Sequence, residues 1–284
     1  MRSLRIIRMA VAAIFFLAAI AYFLTSNIRL DGVDEVRAHD SLAFVERSQL
    51  IPSQIALCMG ALLFWLCATF FMGRIYCSTV CPVGTLSDLF MRLHRELGKL
   101  WPKRLRLQFR WKPASRWRYQ IMAVYFICLV IGIMAIPFLL EPWNILRNTA
   151  SIGNREIVEQ TWSLLGVGML LGVGITGVVT LGIVAVWGFF GGRDYCNVIC
   201  PIGQAMGALD RFTLMHIEFD PDKCISCLQC EEVCRSSCIK VTERLVDNSR
   251  CVKCLDCVCK CPTGAIRLQP GKNKAATPLV MNSD

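Results

Sequence analysis

The sequence predicts a membrane all-α domain of four transmembrane helices, built as a duplicated two-helix unit, followed by a small α+β domain rich in cysteine. Three observations lead to this fold class. Four stretches are apolar over about 20 residues, a segment of twelve residues occurs twice, and the C-terminal third carries two regular runs of cysteines. The predicted boundaries are 1–212 for the membrane domain and 213–270 for the cysteine-rich domain, with a flexible tail at 271–284.

The composition favours a membrane protein, because apolar residues make up 55% of the 284 residues and charged residues only 18%. A helix needs roughly 20 apolar residues to cross the hydrocarbon core of a bilayer. Pro137 is expected to kink the third predicted span, since proline removes a backbone donor inside a helix. The predicted spans are Ile6–Thr25, Gln54–Met72, Tyr119–Leu140 and Trp162–Phe190.

The charges between the spans predict the orientation in the membrane. The segment 73–118 carries eleven Lys and Arg residues and two acids, whereas 26–53 has three Arg and five acids, and 141–161 has two Arg and three acids. Since positively charged loops stay in the cytoplasm, both termini and the cysteine-rich domain are expected there. The same rule accounts for the net charge of +10, so we expect contact with membrane lipid and none with nucleic acid.

The repeated segment indicates that the membrane domain is a duplication. Gly73–Gly84 and Gly192–Gly203 are identical at seven of twelve positions and lie 119 residues apart, each after the second helix of a predicted pair. Two copies with the same orientation are related by an axis along the membrane normal. Each copy contains the pattern C-x-x-x-C-P, which is expected to put two sulfur atoms on one face of a helix.

The duplication predicts that four thiols converge at the cytoplasmic surface, and such a group suits an iron–sulfur cluster or another soft metal. A redox disulfide and a purely helix-capping role are the alternatives that the motif leaves open. The candidate residues for this additional redox or metal site are Cys77, Cys81, Cys196 and Cys200.

The strongest chemical signal is a pair of C-x-x-C-x-x-C-x-x-x-C runs that begin 27 residues apart. This is the spacing of bacterial ferredoxins with two [4Fe–4S] clusters, in which the fourth cysteine of each run ligates the other cluster. The predicted ligands of the first cluster are Cys224, Cys227, Cys230 and Cys261. The predicted ligands of the second cluster are Cys234, Cys251, Cys254 and Cys257.

Other features narrow the chemistry further. Zinc ribbons also use C-x-x-C pairs, but two complete four-cysteine runs favour iron–sulfur clusters. None of the three histidines lies in a predicted span, so a haem held by two histidines in the membrane is not expected. Arg235 follows the first run where Pro262 follows the second, and we interpret Cys238 and Cys259 as bystanders.

Together the motifs resemble those of the NapH-type quinol dehydrogenase membrane component, a ferredoxin-like family to which MauN and the membrane core of NosR look similar. The resemblance covers about residues 1–270 and rests on the four spans, the two C-x-x-x-C-P motifs and the two-cluster pattern. It implies a multi-pass protein of the bacterial cytoplasmic (inner) membrane that acts as a quinol dehydrogenase or electron-transfer subunit. It also implies a partner, an iron–sulfur or cytochrome protein in the periplasm, as in the periplasmic nitrate reductase system.

The expected function is therefore electron transfer between the quinone pool and a partner reductase system. Candidate quinone contacts beside the C-x-x-x-C-P motifs are Arg74, Tyr76, Arg193 and Tyr195. The alternative for these four residues is anchoring at the membrane interface. Two other functions stay open from the sequence: reduction or maturation of a metal such as copper by the C-x-x-x-C-P thiols, and redox sensing in the membrane.

Overall fold

The described part of the chain is mostly helical, and its strands lie in the cysteine-rich C-terminal part. The predicted tail at 271–284 and the start of the fourth predicted span at 162–166 lie outside the described residues. The computed structural model describes residues 2–27, 44–49, 55–100, 111–113, 115, 117–133, 135–150 and 167–270.

The helices of the described residues are followed by a small region of mixed structure. A π-helical turn, Tyr195–Ile199, lies between α8 and α9, and a 3-10 turn, Asp210–Phe212, follows α9. The helices that precede the first strand are α1 (Arg2–Asn27), α2 (Ile55–Met72), α3 (Tyr76–Thr79), α4 (Pro82–Leu100), α5 (Trp117–Ile131), α6 (Ala135–Leu140), α7 (Pro142–Ala150), α8 (Val167–Gly191) and α9 (Pro201–Leu209). The C-terminal elements are β1 (Met215–Phe219), a 3-10 turn (Pro221–Lys223), α10 (Gln229–Val233), β2 (Ile239–Lys240), β3 (Leu245–Val246), α11 (Asp256–Lys260) and β4 (Ile266–Pro270).

The prediction of four transmembrane helices is met only in part. Within the described residues, one helical segment, Ser3–Phe23, is long and apolar enough to cross a membrane by length and composition. The other apolar helical segments found there are shorter: Gly60–Met72, Trp117–Ile131 and Ile175–Gly191. That these three also span a bilayer stays a prediction.

The third predicted span is broken at a glycine rather than kinked at its proline. Helix α5 ends at Ile131, and Gly132 has a φ of +88°, a left-handed conformation that glycine adopts without steric cost and that commonly ends helices. The N–H of Ile133 then donates to the carbonyl of Cys128 at 2.8 Å, which satisfies an otherwise unpaired carbonyl of the last turn. Pro137 lies within the separate helix α6, so the predicted position of the kink was wrong.

The main core forms where α7 and α8 meet the two C-x-x-x-C-P segments. Helices α7 and α8 approach closely at Gly177, where a Cβ atom would lie only 2.6 Å from the backbone nitrogen of Thr149. Small residues permit such close helix contacts. Ile145 of α7 and Val184 of α8 are buried in the same core as the cysteines of both motifs. The packing of these helices thus positions the candidate site.

The C-terminal segment closes on itself through an antiparallel pair of strands. Strand β1 pairs with β4 in a register that sets Met215 opposite Pro270 and Phe219 opposite Ile266. Strands β2 and β3 form a second antiparallel pair, and α10 packs against α11. Because β1 precedes the first cysteine run and β4 follows the second, this pairing brings the two runs side by side.

Candidate functional site

The two cysteine runs adopt the same local backbone conformation. Residues with positive φ occur at matching positions 27 residues apart: φ is +53° at Ser226 and +50° at Lys253, and +59° at Leu228 and +62° at Leu255. Non-glycine residues with positive φ are uncommon and require support from surrounding structure. Their recurrence shows that each run folds into the same tight loop, with a short helix, α10 or α11, beginning after the second left-handed residue.

The eight predicted ligands line two separate cavities, four in each. The first cavity is lined by Cys224, Cys227, Cys230 and Cys261 together with apolar side chains. The second cavity is lined by Cys234, Cys251, Cys254 and Cys257. In each group three cysteines come from one run and the fourth from the other. This is the grouping that the spacing predicts for two [4Fe–4S] clusters.

The surroundings of these sulfurs favour the thiolate form, in which cluster ligands bind, at some positions and oppose it at others. A hydrogen bond with Cys238 lowers the pKa of Cys234 to about 7 despite burial. Burial opposes ionisation of Cys261, but hydrogen bonds from the Thr263 hydroxyl and from nearby backbone N–H groups leave its pKa below the ordinary value. Burial raises the pKa of Cys230 and of Cys254 to about 12, so these thiols depend on bound metal to ionise.

The two groups differ in exposure. All four cysteines of the second group are buried, whereas Cys227 of the first group is exposed and Cys224 and Cys261 are partly exposed. Apolar side chains beside the first group also reach solvent, with Ile225 65% exposed and Leu228 47% exposed. The second group faces the helical part of the chain, because Cys254 is buried in one core with the C-x-x-x-C-P cysteines.

The two C-x-x-x-C-P segments hold each other by reciprocal arginine contacts. Arg74 of the first segment donates to the carbonyl of Cys196 at 3.0 Å. Arg193, the matching residue of the second segment, donates to the carbonyl of Cys77 at 2.7 Å. The exchange of equivalent contacts is what a two-fold related pair requires, and it supports the predicted duplication.

The reciprocal contacts bring the four motif cysteines together in one buried core. The prediction that both cysteines of a motif lie on one helix was wrong, since the helical turn that carries the first cysteine ends before the second. Helix α3 ends at Thr79 before Cys81, and the π-helical turn ends at Ile199 before Cys200. The prolines that follow explain the break, because a residue before proline is pushed out of the helical region, and Cys200 has ψ of 115°.

Burial dominates the chemistry of the motif thiols. It raises the pKa of Cys196 to about 11, and it raises the pKa values of Cys81 and Cys200 above their ordinary value. These thiols are therefore protonated at neutral pH unless a metal ion displaces the proton. In the part of the chain that the structure describes, no group of three or more His, Cys, Asp or Glu side chains is arranged to hold a single metal ion.

One glycine lies in the first turn of the helix that follows each motif, and both positions exclude a larger residue for the same reason. A Cβ atom on Gly84 would overlap the carbonyl oxygen of Cys77, and one on Gly203 would overlap that of Cys196. We expect Gly84→Ala and Gly203→Ala each to cost about 1–3 kcal/mol of stability by overpacking. Thermal unfolding in detergent measures this, with Gly182→Ala as control because a Cβ there meets nothing within 4 Å. Equal melting temperatures in all three variants would contradict the prediction.

The four candidate quinone contacts are buried side chains with partners of their own. Arg74 and Arg193 are 1% and 0% exposed and make the reciprocal contacts. The Tyr76 hydroxyl donates to Gln49 Oε1 at 3.0 Å, and the Tyr195 hydroxyl donates to the carbonyl of Leu140 at 3.2 Å. These contacts support a structural role, and contact with quinone stays a prediction.

A buried ion network joins the C-x-x-x-C-P core to the second cysteine group. Arg193 donates from Nε and Nη2 to the carboxylate of Asp88 at 2.8 Å each, and Arg235 also pairs with Asp88. Arg235 further pairs with Asp256 at 2.6 Å, and Asp256 with Arg5 at 2.7 Å. The network thus ties α1, α4 and both cysteine runs together.

Sequence reasoning missed Asp88 and Asp256, which carry no motif of their own. The one available signal was Arg235, which follows the first cysteine run at the position where a proline, Pro262, follows the second. A proline at that position has no charged group to meet two carboxylates, so the departure marks the contact between the two parts of the chain.

A large apolar cavity lies between α1, α2 and the second cysteine run. Its volume is about 730 Å³, within the usual range for small-molecule sites. Its wall includes Trp65 of α2 and Val80 of the first motif, with Arg8 and Lys253 among its charged residues. Leu255 lines both this cavity and the cavity of the second cysteine group. None of the four candidate quinone contacts lines it.

Comparison with known protein families independently indicates iron–sulfur chemistry. A family model described as a 4Fe-4S binding domain matches twice, at 56–100 and 173–217, so that each match contains one C-x-x-x-C-P motif. A second model, also described as a 4Fe-4S binding domain, matches 217–240. The repeated match agrees with the internal duplication, and both models support iron–sulfur clusters.

Several curated proteins are similar to this chain. A putative electron transport protein, YccM, of Escherichia coli is 27% identical over 66% of this chain and 48% of its own length. The ferredoxin-type protein NapH of Haemophilus influenzae is 24% identical over 71% of this chain and 62% of its own length. The methylamine utilization ferredoxin-type protein MauN of Paracoccus denitrificans is 25% identical over 62% and 53%. The chain thus spans about half to three fifths of these relatives, and no solved structure matches it.

Proposed function

Because this chain is a NapH-type ferredoxin-like protein, as its motifs predict, we propose that it is a membrane-bound iron–sulfur protein that oxidises quinol and passes the electrons to a partner redox protein. The eight cysteines of the two runs hold two [4Fe–4S] clusters in the crossed arrangement, and each cluster, when bound, carries one electron at a time. The membrane domain covers 1–212 and the cluster domain 213–270. The relatives' names support a ferredoxin-type electron-transfer protein, and the cysteine geometry supports the two clusters.

The membrane setting rests on apolar surface that has no protein partner within the described residues. Side chains of α5 are turned outwards, with Val130 83% and Ile131 66% exposed, and α8 likewise exposes Ile175 and Val186. Contiguous exposed apolar surface of this kind marks contact with a membrane or another protein. We propose that α1, α2, the α5–α6 pair and α8 cross the inner membrane, with the cluster domain in the cytoplasm.

One observation carries the assignment to quinol: the apolar cavity shares Leu255 with the second cysteine group. A quinol has an apolar tail and a ring with two polar oxygens, which suits apolar walls with few charged groups. Arg8 and Lys253 supply donors for the ring oxygens, while Phe15 and Phe64 supply apolar wall. Oxidation of one quinol releases two electrons and two protons, and we propose that the electrons enter at the second cluster.

Filling the cavity tests this proposal. We expect Ala61→Trp, which puts a large side chain on the cavity wall, to lower the rate of quinol oxidation at least about tenfold, the equivalent of about 1.4 kcal/mol of lost binding. The measurement is steady-state oxidation of a quinol analogue by purified protein with an artificial acceptor. Leu63→Trp is the matched control, since Leu63 is 62% exposed on the same helix and does not line the cavity.

Two outcomes would count against the proposal. If Ala61→Trp and Leu63→Trp oxidise quinol equally well while both retain iron, the cavity is not the quinol site. If the wild-type clusters are never reduced by quinol nor reoxidised by quinone, as followed by electron paramagnetic resonance, quinol oxidation itself is wrong.

The partner is proposed to be an iron–sulfur or cytochrome protein, on the periplasmic side as in the nitrate reductase system. Electrons then need a route across the membrane from a cytoplasmic cluster domain. The segment 141–161, which its charges assign to the outside, contributes the buried residues Trp143 and Ile145, and Ile145 packs in the core of the motif cysteines. A redox centre held by those cysteines would shorten the distance from the second cluster to the outer side.

The same four buried cysteines favour a second candidate function, the reduction or maturation of a metal such as copper. Soft thiolate ligands bind reduced copper well. The four motif cysteines share one buried core, and because no three of them surround a common point in the described residues, a copper ion would take fewer than three of them unless the motifs rearrange. Metal analysis distinguishes the two functions. Stoichiometric copper that is lost in a Cys81→Ser Cys200→Ser variant, together with indifference to quinol, would favour the copper function over electron transfer.

A further inference from the structure

Cys238, interpreted from the sequence as a bystander, lies against two predicted ligands of the second cluster. Its sulfur is 3.5 Å from the sulfur of Cys234, and its backbone N–H donates to the same sulfur at 3.4 Å. Cys251 lines the same cavity and belongs to the same buried core. Cys238 is 1% exposed and lines the second cavity.

The internal repeat provides a reference for this position. The offset of 27 residues that relates the two runs makes Ala265 the counterpart of Cys238, and Ala265 is equally buried at 1% exposed. Ala265 lines the first cavity as Cys238 lines the second. The first site therefore has a methyl group where the second has a thiol.

Only one of the three thiols can donate once a cluster is bound. Cluster ligands bind as thiolates and have no proton to give, whereas a free cysteine retains one weak S–H donor. The Cys238 sulfur lies within donating distance of the Cys234 sulfur, and the Cys238 backbone N–H donates to the same atom.

We propose that the Cys238 thiol donates its hydrogen bond to the sulfur ligand Cys234 and thereby raises the reduction potential of the second cluster above that of the first. Hydrogen bonds to cluster sulfurs and the local net charge are recognised determinants of this potential. A donor stabilises the reduced cluster more, because that state carries the larger negative charge. The inference rests on the proposed function in that both sites hold clusters.

The charges around the second site act in the same direction. Three arginines pair with two carboxylates beside the second site: the buried Arg193 and Arg235 with Asp88, and Arg235 and the partly exposed Arg5 with Asp256. Arg8, 6% exposed, adds a further positive charge that interacts with Cys254. At the first site the counterpart of Arg235 is Pro262, which has no charge. A raised potential makes the second cluster the better acceptor for electrons from quinol.

The test is a redox titration of the purified full-length protein, followed by electron paramagnetic resonance. We expect Cys238→Ala to lower the ratio of reduced to oxidised second cluster about tenfold at a fixed potential, which is about 59 mV for one electron. The first cluster should be unaffected. The reciprocal change Ala265→Cys should raise the potential of the first cluster, and Cys238→Ser, which keeps a hydroxyl donor, should recover part of the shift. Loss of one signal in Cys261→Ser identifies the first cluster.

Iron content separates the outcomes. If Cys238→Ala retains the wild-type iron and both potentials are unchanged, the inference is wrong. If Cys238→Ala loses about four irons, Cys238 is itself a ligand and the inference is also wrong. A wild-type protein without iron would instead refute the proposed function. Cys259→Ala is the control, because Cys259 lines neither cavity.

Discussion

Replacing Asp88 with Asn is expected to destabilise the folded chain by about 3–5 kcal/mol, because it removes the counter-charge of the buried Arg193 and one of the two carboxylates that pair with Arg235. Arg193 and Arg235 have side chains 0% and 4% exposed and both pair with Asp88, whose side chain is 11% exposed. Asp88 also joins α4 to the residue that follows Cys234. Its loss should therefore loosen the cluster domain from the helices, which is measured as a lower melting temperature and faster proteolysis of the cluster domain.

The pH dependence of this effect follows from the pKa of Asp88. Burial opposes its ionisation, but Arg193 and Arg235 outweigh burial and hold the pKa at about 2, below the ordinary value of about 3.9. A carboxyl group whose folded pKa is depressed stabilises fully above its unfolded pKa and loses that contribution as pH falls through the folded pKa. The difference between wild type and Asp88→Asn should be constant from pH 5 to 8 and shrink between about pH 4 and 2.

The control for this prediction removes the same charge elsewhere. Asp222 is exposed in the 3-10 turn after β1, and exposed charges contribute little to stability. Asp222→Asn should therefore melt like the wild type. An Asp88→Asn variant that matches it would show that the ion network does not hold the two parts together.

Loss of a single predicted ligand is expected to remove one whole cluster and leave the other. The wild type should contain about eight irons, from two clusters of four. Because the ligation is crossed, Cys234→Ser should abolish the same signal as Cys254→Ser, although the two residues belong to different runs. Cys227→Ser should abolish the other signal. Iron and sulfide content with electron paramagnetic resonance measures both effects, and Cys259→Ser is the control.

Two results would change this picture. If Cys234→Ser and Cys230→Ser abolish the same cluster, each run holds its own cluster and the crossed arrangement is wrong. If the wild type contains more than about eight irons and Cys81→Ser or Cys200→Ser removes the excess, the C-x-x-x-C-P motifs hold a further iron centre.

The sequence predictions of the cysteine sites rest on features that repeat at short spacing. Two cysteine runs and two C-x-x-x-C-P segments can be recognised because ligand spacing and duplication are local properties of the chain. Helix positions follow in the same way from long apolar stretches, and α2 ends at Met72 as predicted. The local predictions failed where two signals compete: Gly132 ended a helix that Pro137 was expected to kink, and Pro82 and Pro201 separated motif cysteines from the helical turns before them.

The sequence by itself predicted iron–sulfur chemistry for this protein, two crossed sets of four cysteines, and the duplication of its helical part. Only the tertiary structure decided which of the two sets faces the helices, what Arg235 contacts, and where an apolar cavity opens beside the second set. These features depend on pairs far apart in the chain, such as Arg193 with Asp88 and Arg74 with Cys196. Spacing records which residues are neighbours along the chain, whereas such contacts arise only when helices and loops pack to bury apolar surface and pair their buried charges.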